Sequence, residues 1–197
     1  MAASYDVLAA GPDVPLSPAE QDRAAALTRE ADRADFVAAR LLARVLVARH
    51  LGGEAAEVRF AQTCERCGGP HGRPQVVGGG VHVGWAHSAG VVASTVDVVP
   101  CAVDVQSVAA LRGGVLPLGV LAAAERAWLD AQPDRPRSFA ELWVRKELLV
   151  KLGDLTIDGA SRVDVTPALA GAPVLGRTLV AVDTGGLDAV AARADAR

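Results

Sequence analysis

The sequence predicts an α/β (α+β) fold of two similar halves, residues 1–100 and 101–197, each with a long helix packed on a small sheet. Capped helical segments alternate with short β-branched runs along the chain. A long helix in each half also begins with a similar apolar pattern, at Phe36 and at Phe139, and ends at a glycine before a strand. Because clefts between such halves are common ligand sites, we expect the functional site at their boundary.

The first half is predicted to open with a short strand and a proline-containing turn between Tyr5 and Leu16. Ser17 is a suitable N-cap for a helix, with Pro18 at its first position and Glu20 three residues after the cap. A second helix is predicted to run from about Asp32 to Leu51 and to stop at two glycines. The remaining predictions are a strand at 57–62, turns and loop at 64–80, two strands within 81–99 that break near 89–90, and a strand at 102–105.

In the second half, a helix is predicted from Leu116 to Asp130. A proline-rich break then precedes a helix from Phe139 to Leu152, with Ser138 as N-cap and Glu141 at the capping-box position. From Thr156 onward we expect short strands with turns, and the final six residues are expected to be frayed.

Composition limits the function classes. A chain of 197 residues with 51% hydrophobic and 22% charged residues is typical of a globular protein that buries a core. The net charge of −3 gives no electrostatic case for binding nucleic acid or membranes, and no apolar run reaches the length of a membrane span. The start of the sequence lacks the basic region of a signal peptide, and three cysteines are too few for a disulfide framework, so we expect a cytoplasmic protein. A monomer is the default expectation, because the two predicted halves already supply the cleft.

Only two of the 20 Lys and Arg residues are lysines, and Lys146 and Lys151 flank Glu147 on one helix. Trp143, Glu147 and Lys151 are four residues apart and form a single stripe, with Lys146 beside it. A carboxylate between two ammonium groups is typical of a metal and phosphate site, but ordinary ion pairs on a solvated helix are an equal alternative.

Asp104 and Gln106 occupy alternate positions of a β-branched strand and therefore point to the same face. An aspartate in such a strand is costly unless it is paired or holds a cation. Oxygen ligands of this type suit Mg²⁺, which often takes one or two carboxylates and completes its shell with phosphate and water.

Three basic features are candidates for anion binding. Arg40 and Arg44 share one face of an apolar helix, where their guanidinium groups either meet an anion or extend to water. Arg73 lies in a tight glycine- and proline-rich loop that could be a phosphate loop or a plain surface turn. His87 ends an apolar strand beside a turn, which suits an anion contact, a general base or a structural role.

Cys64 and Cys67 have the spacing of half a zinc site, and His71 follows closely. A second cysteine pair is missing, since only Cys101 remains, so a reduced pair in a turn is the favoured interpretation. A small interaction module stabilised by zinc stays open as an alternative.

Taken in order, these motifs resemble the 4′-phosphopantetheinyl transferase superfamily, specifically its surfactin-type members that act on carrier proteins. The family pattern is an arginine-bearing helix, Gly-Lys/Arg-Pro, a strand ending in Ser-His-Ser, Gly-Val-Asp-x-Glu, and Trp-x-x-Lys-Glu-x-x-x-Lys. The matching segments, which span about residues 15–155, are Phe36 to Arg44, Gly72-Arg73-Pro74, Ala86-His87-Ser88, Ala102 to Gln106 and Trp143 to Lys151.

The resemblance implies two similar halves, mainly antiparallel in their sheets, that form a pseudo-dimer with the active site between them. It also implies transfer of 4′-phosphopantetheine from coenzyme A to a serine of an acyl or peptidyl carrier protein, with release of adenosine 3′,5′-bisphosphate. The resemblance implies that Asp104, Gln106 and Glu147 are the ligands of Mg²⁺. It implies that Asp104, Glu147 and Lys151 are the catalytic residues. The implied contacts to coenzyme A are Arg33 or Arg40, Arg73, Pro74, His87 and Lys151.

The chain departs from the family pattern around this site. Gln106 replaces the usual Glu, Ala86 replaces a serine, and Gly84 and Trp85 stand where asparagine and a smaller residue are common. These departures keep a non-catalytic relative that binds coenzyme A or a carrier protein as the alternative function.

Overall fold

A computed structural model describes residues 1–11, 14–64, 67–69 and 72–195 and shows an α+β fold with two antiparallel sheets. The strands are β1 (Ala2–Ala3), β2 (Phe60–Gln62), β3 (Pro74–Val76), β4 (His82–Ser88), β5 (Val91–Asp97), β6 (Cys101–Ser107), β7 (Leu179–Val182) and β8 (Ala189–Asp195). The α-helices are α1 (Ser4–Ala10), α2 (Pro18–Ala25), α3 (Glu30–Leu51), α4 (Val108–Arg112), α5 (Ala123–Asp130), α6 (Arg135–Leu152) and α7 (Thr166–Leu169), with 3₁₀ turns at Ala55–Glu57, Leu118–Val120 and Ile157–Arg162. None of the described helices combines the length and apolar character needed to cross a membrane.

The first sheet has the strand order β1-β5-β4-β3-β2, with antiparallel neighbours throughout. Helix α3 packs on β4 and β5 through small, fully buried residues such as Ala38, Ala39 and Ala43. The predicted break between these strands is confirmed as a turn in which Ala89 and Gly90 both have positive φ.

The second sheet has the order β6-β8-β7, and α6 packs on β6 and β8. The core between this helix and the sheet includes Phe139, Leu142, Leu149, Ala192 and Ala194. Small alanines on β8 let the large side chains of α6 lie directly on the sheet.

The two sheets meet where β4 lies beside β6. A Cβ atom on Gly84 would lie 3.4 Å from the Cα of Ala102 and 3.3 Å from the Thr95 side chain, so the glycine permits this close approach. The junction brings the end of β4, with His87, and the middle of β6, with Asp104, to the same part of the molecule.

The predicted start of one helix in the first half and the predicted end of another are confirmed. Ser17 and Glu20 form the capping box at the start of α2, with the Ser17 amide donating to the Glu20 carboxylate at 2.8 Å. Helix α3 ends at Gly52, which has φ of +73°.

The predicted start of α6 is wrong. The helix begins at Arg135, and the cap is the Asp134 side chain, which accepts a hydrogen bond from the Arg137 amide at 3.2 Å. Pro136 lies in the first turn, where a proline needs no backbone donor and does not interrupt the helix. Ser138 is therefore a buried helical residue rather than the N-cap.

Both chain ends also differ from the prediction. The segment predicted as a strand from Tyr5 holds α1, and only Ala2 and Ala3 pair as a strand, with β5. At the other end, residues 192–195 belong to β8 rather than being frayed, because they pair with residues 101–104 of β6. Residues 196–197 lie outside the described residues.

Four further segments were mispredicted in type or length. Of the strand predicted at 57–62, only β2 forms, and a 3₁₀ turn precedes it. The loop predicted at 64–80 contains the short strand β3. The helix predicted at 116–130 is divided into a 3₁₀ turn and α5. After Thr156, a 3₁₀ turn and α7 precede the strands. Proline and glycine divide these stretches into strands and turns of only a few residues, which are too short for the spacing of apolar residues to show whether they are helical or extended.

Candidate active site between the two sheets

A cleft of about 270 Å³ lies between the two sheets and is lined from both long helices. Five of the predicted site residues line it: Arg40 of α3, His87 of β4, Asp104 of β6, and Glu147 and Lys151 of α6. A neighbouring hollow of about 290 Å³ shares Trp85 and Lys151 with the cleft and is bounded by Gly72, Arg73 and Pro74. The structure thus brings residues from distant parts of the sequence around one continuous depression.

Asp104 of β6 and Lys151 of α6 form an ion pair within the second half, at the wall of the cleft. The Nζ of Lys151 lies 2.7 Å from Oδ1 of Asp104 and also donates to the carbonyl of Val103 at 2.8 Å. Burial raises the pKa of Asp104, because desolvation outweighs the opposing effect of Lys151. The Lys151 side chain keeps 31% of its surface exposed, so its ammonium group can meet a ligand in the cleft.

Glu147 lies one turn before Lys151 and is partly buried. Burial raises the pKa of Glu147, the negative charge of Asp104 raises it further, and Lys151 opposes the shift. Two carboxylates with raised pKa values therefore face one cleft, where a cation would stabilise both in their charged forms.

Asp104 and Glu147 fit one part of a Mg²⁺ site. Within the described residues, no group of three or more His, Cys, Asp or Glu side chains could hold a metal ion. A divalent cation held here would thus take two carboxylates from the protein and complete its shell with water and ligand phosphate, as Mg²⁺ commonly does.

Gln106, the third predicted metal ligand, is engaged at the edge of the sheet junction. Its side-chain amide donates to Oγ of Ser88 and to the carbonyl of Ser107, both at 3.1 Å. The same Ser88 oxygen accepts the Ser107 amide at 3.1 Å. These bonds direct the side-chain nitrogen of Gln106 toward β4. The side-chain oxygen of Gln106 is then the atom that could act as a neutral metal ligand.

Arg40 is a buried cation on the wall of the cleft. Only 4% of the residue is exposed, and its guanidinium group stacks on the Phe36 ring at 3.2 Å and donates to the Phe36 carbonyl at 3.0 Å. Burial lowers the pKa of Arg40 to about 9, although the charge of Glu20 opposes this shift. Its Nε is fully buried and makes no hydrogen bond among the described residues, although Oε1 of Glu20 lies 3.8 Å away.

Glu20 neutralises part of this charge. Its Oε2 lies 2.6 Å from Arg44 and its Oε1 lies 3.8 Å from Nε of Arg40. Burial alone would raise the pKa of Glu20, but hydrogen bonds from Arg44 and Ser17 outweigh it and lower the pKa. Sequence reasoning assigned Glu20 only to the capping box and missed this pairing.

Arg33, the alternative to Arg40, does not line the cleft. Its guanidinium group donates to the carbonyl of Ala24, in the last turn of α2, at 3.2 Å and to that of Leu27, just beyond the helix, at 2.9 Å. It therefore joins α2 to α3, and of the two arginines Arg40 is the one that faces the cleft.

His87 opens onto the cleft, but the cleft walls still desolvate its ring. Desolvation lowers the pKa of His87; Asp35 opposes this shift, and the charges of Arg40 and Lys151 add to it. The imidazole is therefore neutral near pH 7, and it can donate one hydrogen bond to a phosphate and accept another.

The loop that carries Arg73 is attached to the end of α6. The Arg73 guanidinium donates to the Lys151 carbonyl at 2.7 Å, and Pro74 begins β3 at the rim of the neighbouring hollow. His71 lies outside the described residues.

Lys146 and Trp143 have structural contacts away from the cleft. Lys146 is 1% exposed, lies 2.8 Å from Glu125, and donates to the carbonyls of Ala160 and Val163. Trp143 stacks on Phe139 with ring centroids 6.4 Å apart. Of the two lysines, only Lys151 reaches the cleft.

Comparison with protein-family models and with curated proteins gives no match to this chain. The geometry of the cleft is therefore the main evidence about its chemistry.

Proposed function

We propose that this protein transfers 4′-phosphopantetheine from coenzyme A to a serine of an acyl or peptidyl carrier protein, using Mg²⁺ and releasing adenosine 3′,5′-bisphosphate. The observation that carries the proposal is the convergence of Asp104, Glu147 and Lys151 on one cleft together with Arg40 and His87. These are the residues that the resemblance to the phosphopantetheinyl transferases requires in one place.

The proposal includes a pseudo-dimeric architecture of residues 1–100 and 101–197. In support of it, α3 packs on β4 and β5 much as α6 packs on β6 and β8, and the strands β4 and β6 lie side by side between the helices. Because both halves already contribute to the cleft, we propose that the protein acts as a monomer.

The chain's own residues fit the proposed transfer. Mg²⁺ bound between Asp104 and Glu147 would supply charge neutralisation on the pyrophosphate. The Glu147 carboxylate, which lines the cleft, would accept the proton of the carrier serine as the serine oxygen bonds to the β-phosphorus. The bond from that phosphorus to the bridging oxygen breaks, and Lys151 stabilises the negative charge that develops on the leaving adenosine bisphosphate.

The remaining cleft residues would bind the nucleotide. Arg40 lines the cleft and would supply its guanidinium charge to the 3′-phosphate, and the neutral His87 can donate to another phosphate oxygen. Arg73 and Pro74 border the adjoining hollow, which has the volume for an adenine ring.

We expect Arg40→Gln to weaken the binding of adenosine 3′,5′-bisphosphate by about 10- to 100-fold, since a hydrogen bond to a charged group contributes about 1.5–3 kcal/mol. Affinity for adenosine 5′-monophosphate should change little. Arg33→Gln is the matched control and should leave both affinities nearly unchanged, because Arg33 faces α2. Calorimetric titration of both nucleotides checks this, and equal weakening of both by Arg40→Gln would contradict the assignment.

A non-catalytic relative that binds coenzyme A or a carrier protein is the second candidate. The engagement of Gln106 with Ser88 and the buried Ala86 in place of a serine favour it, because both remove polar contacts near the proposed metal.

One assay separates the two functions. The protein is incubated with coenzyme A, Mg²⁺ and several apo carrier proteins, and the carriers are examined by mass spectrometry. The proposal expects the mass of phosphopantetheine on the carrier serine. Absence of that adduct from every carrier would overturn it, and retained coenzyme A binding would then support the second candidate.

A further inference from the structure

A small hollow adjoins the cleft beside α2. It has a volume of about 60 Å³ and shares Arg23, Phe36, Arg40 and Gln62 with the cleft. Glu20, in the first turn of α2, forms part of its wall. A carboxylate therefore stands next to the basic end of the cleft, where a negative charge on the protein opposes the entry of a negatively charged ligand.

This carboxylate is shared between two buried guanidinium groups. Oε2 of Glu20 lies 2.6 Å from Nη2 of Arg44, while Oε1 lies 3.8 Å from Nε of Arg40. The side chains of Arg40 and Arg44 are only 5% and 2% exposed, so water and salt screen these charges weakly. An arriving phosphate group would thus meet an Arg40 whose charge is already partly neutralised.

The charge of Glu20 is not needed for its helix to begin. The capping box requires a side-chain acceptor at this position, and glutamine also supplies one. Burying a carboxylate is costly unless it is paired, and Arg44 and the Ser17 amide both donate to this one. Because a neutral glutamine would cap α2 without that cost, the position of the carboxylate beside Arg40 points to an effect on the cleft.

We propose that Glu20 competes with ligand phosphate for Arg40 and so lowers the affinity of the cleft for the 3′-phosphate of the nucleotide. The identity of this phosphate rests on the proposed transferase function, whereas the competition needs only a phosphate group at Arg40. Two anions that compete for one cation weaken each other's binding by the same factor. The weaker hold on the 3′-phosphate would speed the release of adenosine 3′,5′-bisphosphate, which keeps that group after transfer.

The test is calorimetric titration of the whole chain with adenosine 3′,5′-bisphosphate. Glu20→Gln removes the charge and keeps a capping-box residue, and we expect it to tighten binding by about fivefold or more. Adenosine 5′-monophosphate, which lacks the 3′-phosphate, should gain less. Weaker or unchanged binding of the bisphosphate would overturn the proposal, because it would show that Glu20 only positions Arg40 or has no effect on it.

Glu30→Gln is the matched control, since it changes the net charge by the same amount. Glu30 is exposed at the start of α3, ten residues before Arg40. That separation is about 15 Å along the helix, which exceeds the screening length of about 8–10 Å. The affinity of Glu30→Gln for the bisphosphate should therefore equal that of the unchanged protein, and a gain as large as that of Glu20→Gln would contradict a local effect.

A double variant tests whether the effect passes through Arg40. In an Arg40→Gln background, Glu20→Gln should change the affinity for adenosine 3′,5′-bisphosphate very little, because the cation for which the two anions compete is gone. The same gain in both backgrounds would overturn the proposal.

Arg44→Met gives an expected effect of opposite sign and serves even if Glu20→Gln does not fold. Arg44 is not among the described residues that line the cleft, and its loss leaves Glu20 to interact with Arg40 alone. Binding of the bisphosphate should weaken, and unchanged or tighter binding would refute the competition. These titrations need no carrier protein, so unmodified carriers together with the expected affinity changes would refute the transferase alone, and modified carriers without those changes would refute the role of Glu20 alone.

Discussion

Replacing Glu147 with glutamine is expected to reduce phosphopantetheine transfer by about a thousand-fold or more while the protein stays folded. The change removes one of the two carboxylates proposed to hold Mg²⁺ and the proposed proton acceptor for the carrier serine. It also removes the repulsion between Glu147 and Asp104 that raises the pKa of Glu147, so the fold should not be destabilised. The measurements are the initial rate of adduct formation and the thermal midpoint of unfolding.

Glu141→Gln is the matched control, since Glu141 is partly buried on the same helix but does not line the cleft. It should transfer at the rate of the unchanged protein. If Glu147→Gln also keeps that rate, the proposed metal and proton-acceptor roles of Glu147 are wrong. If it unfolds, Glu147→Asp, which keeps the charge but shortens its reach, should fold and transfer slowly.

Helix ends with strong local signals were the most predictable part of the fold. The capping box of Ser17 and Glu20 and the left-handed Gly52 depend on neighbouring residues, and the structure confirms both. The start of α6 was mispredicted because two capping residues, Asp134 and Ser138, lie on either side of Pro136, and local sequence does not decide between them.

Pairing between distant residues was the least predictable part. Nothing local to Glu20 shows that it meets Arg44, which is 24 residues away, and nothing local to Gln106 shows that Ser88 holds its amide. Such contacts depend on how α2 lies on α3 and how β4 lies beside β6. Sequence patterns identify residue types suited to a site, but they do not show which residues are already engaged by the protein itself.

The two lysines illustrate the same limit. Helical spacing in the sequence places Lys151 on one stripe with Glu147 and Lys146 beside that stripe, but it does not show what either side of the helix meets. On α6 they point in different directions, and Lys151 reaches the cleft while Lys146 enters the core beside Glu125. A helix position shows which residues share a face, but the partner of that face comes from the packing of the whole chain.

The buried partner of Lys146 leads to the largest expected effect on stability. The Glu125 carboxylate accepts hydrogen bonds from the amides of Ala122 at 2.7 Å and Val165 at 2.9 Å and pairs with Lys146 at 2.8 Å. This network joins α5, α6 and the segment before α7, and both charged groups are almost fully buried.

Lys146→Met is expected to lower the free energy of unfolding by about 3–5 kcal/mol, because it leaves the buried charge of Glu125 without its cation. Urea unfolding measures this as a lower midpoint with an unchanged slope. Adding Glu125→Leu should cost less than the sum of the two single changes, since the pair is coupled. Arg112→Met breaks a well-exposed pair with Asp134 and should barely move the midpoint. A loss below about 1 kcal/mol for Lys146→Met would contradict this prediction and would mean that the ion pair contributes little to the stability of the network that joins α5, α6 and the segment before α7.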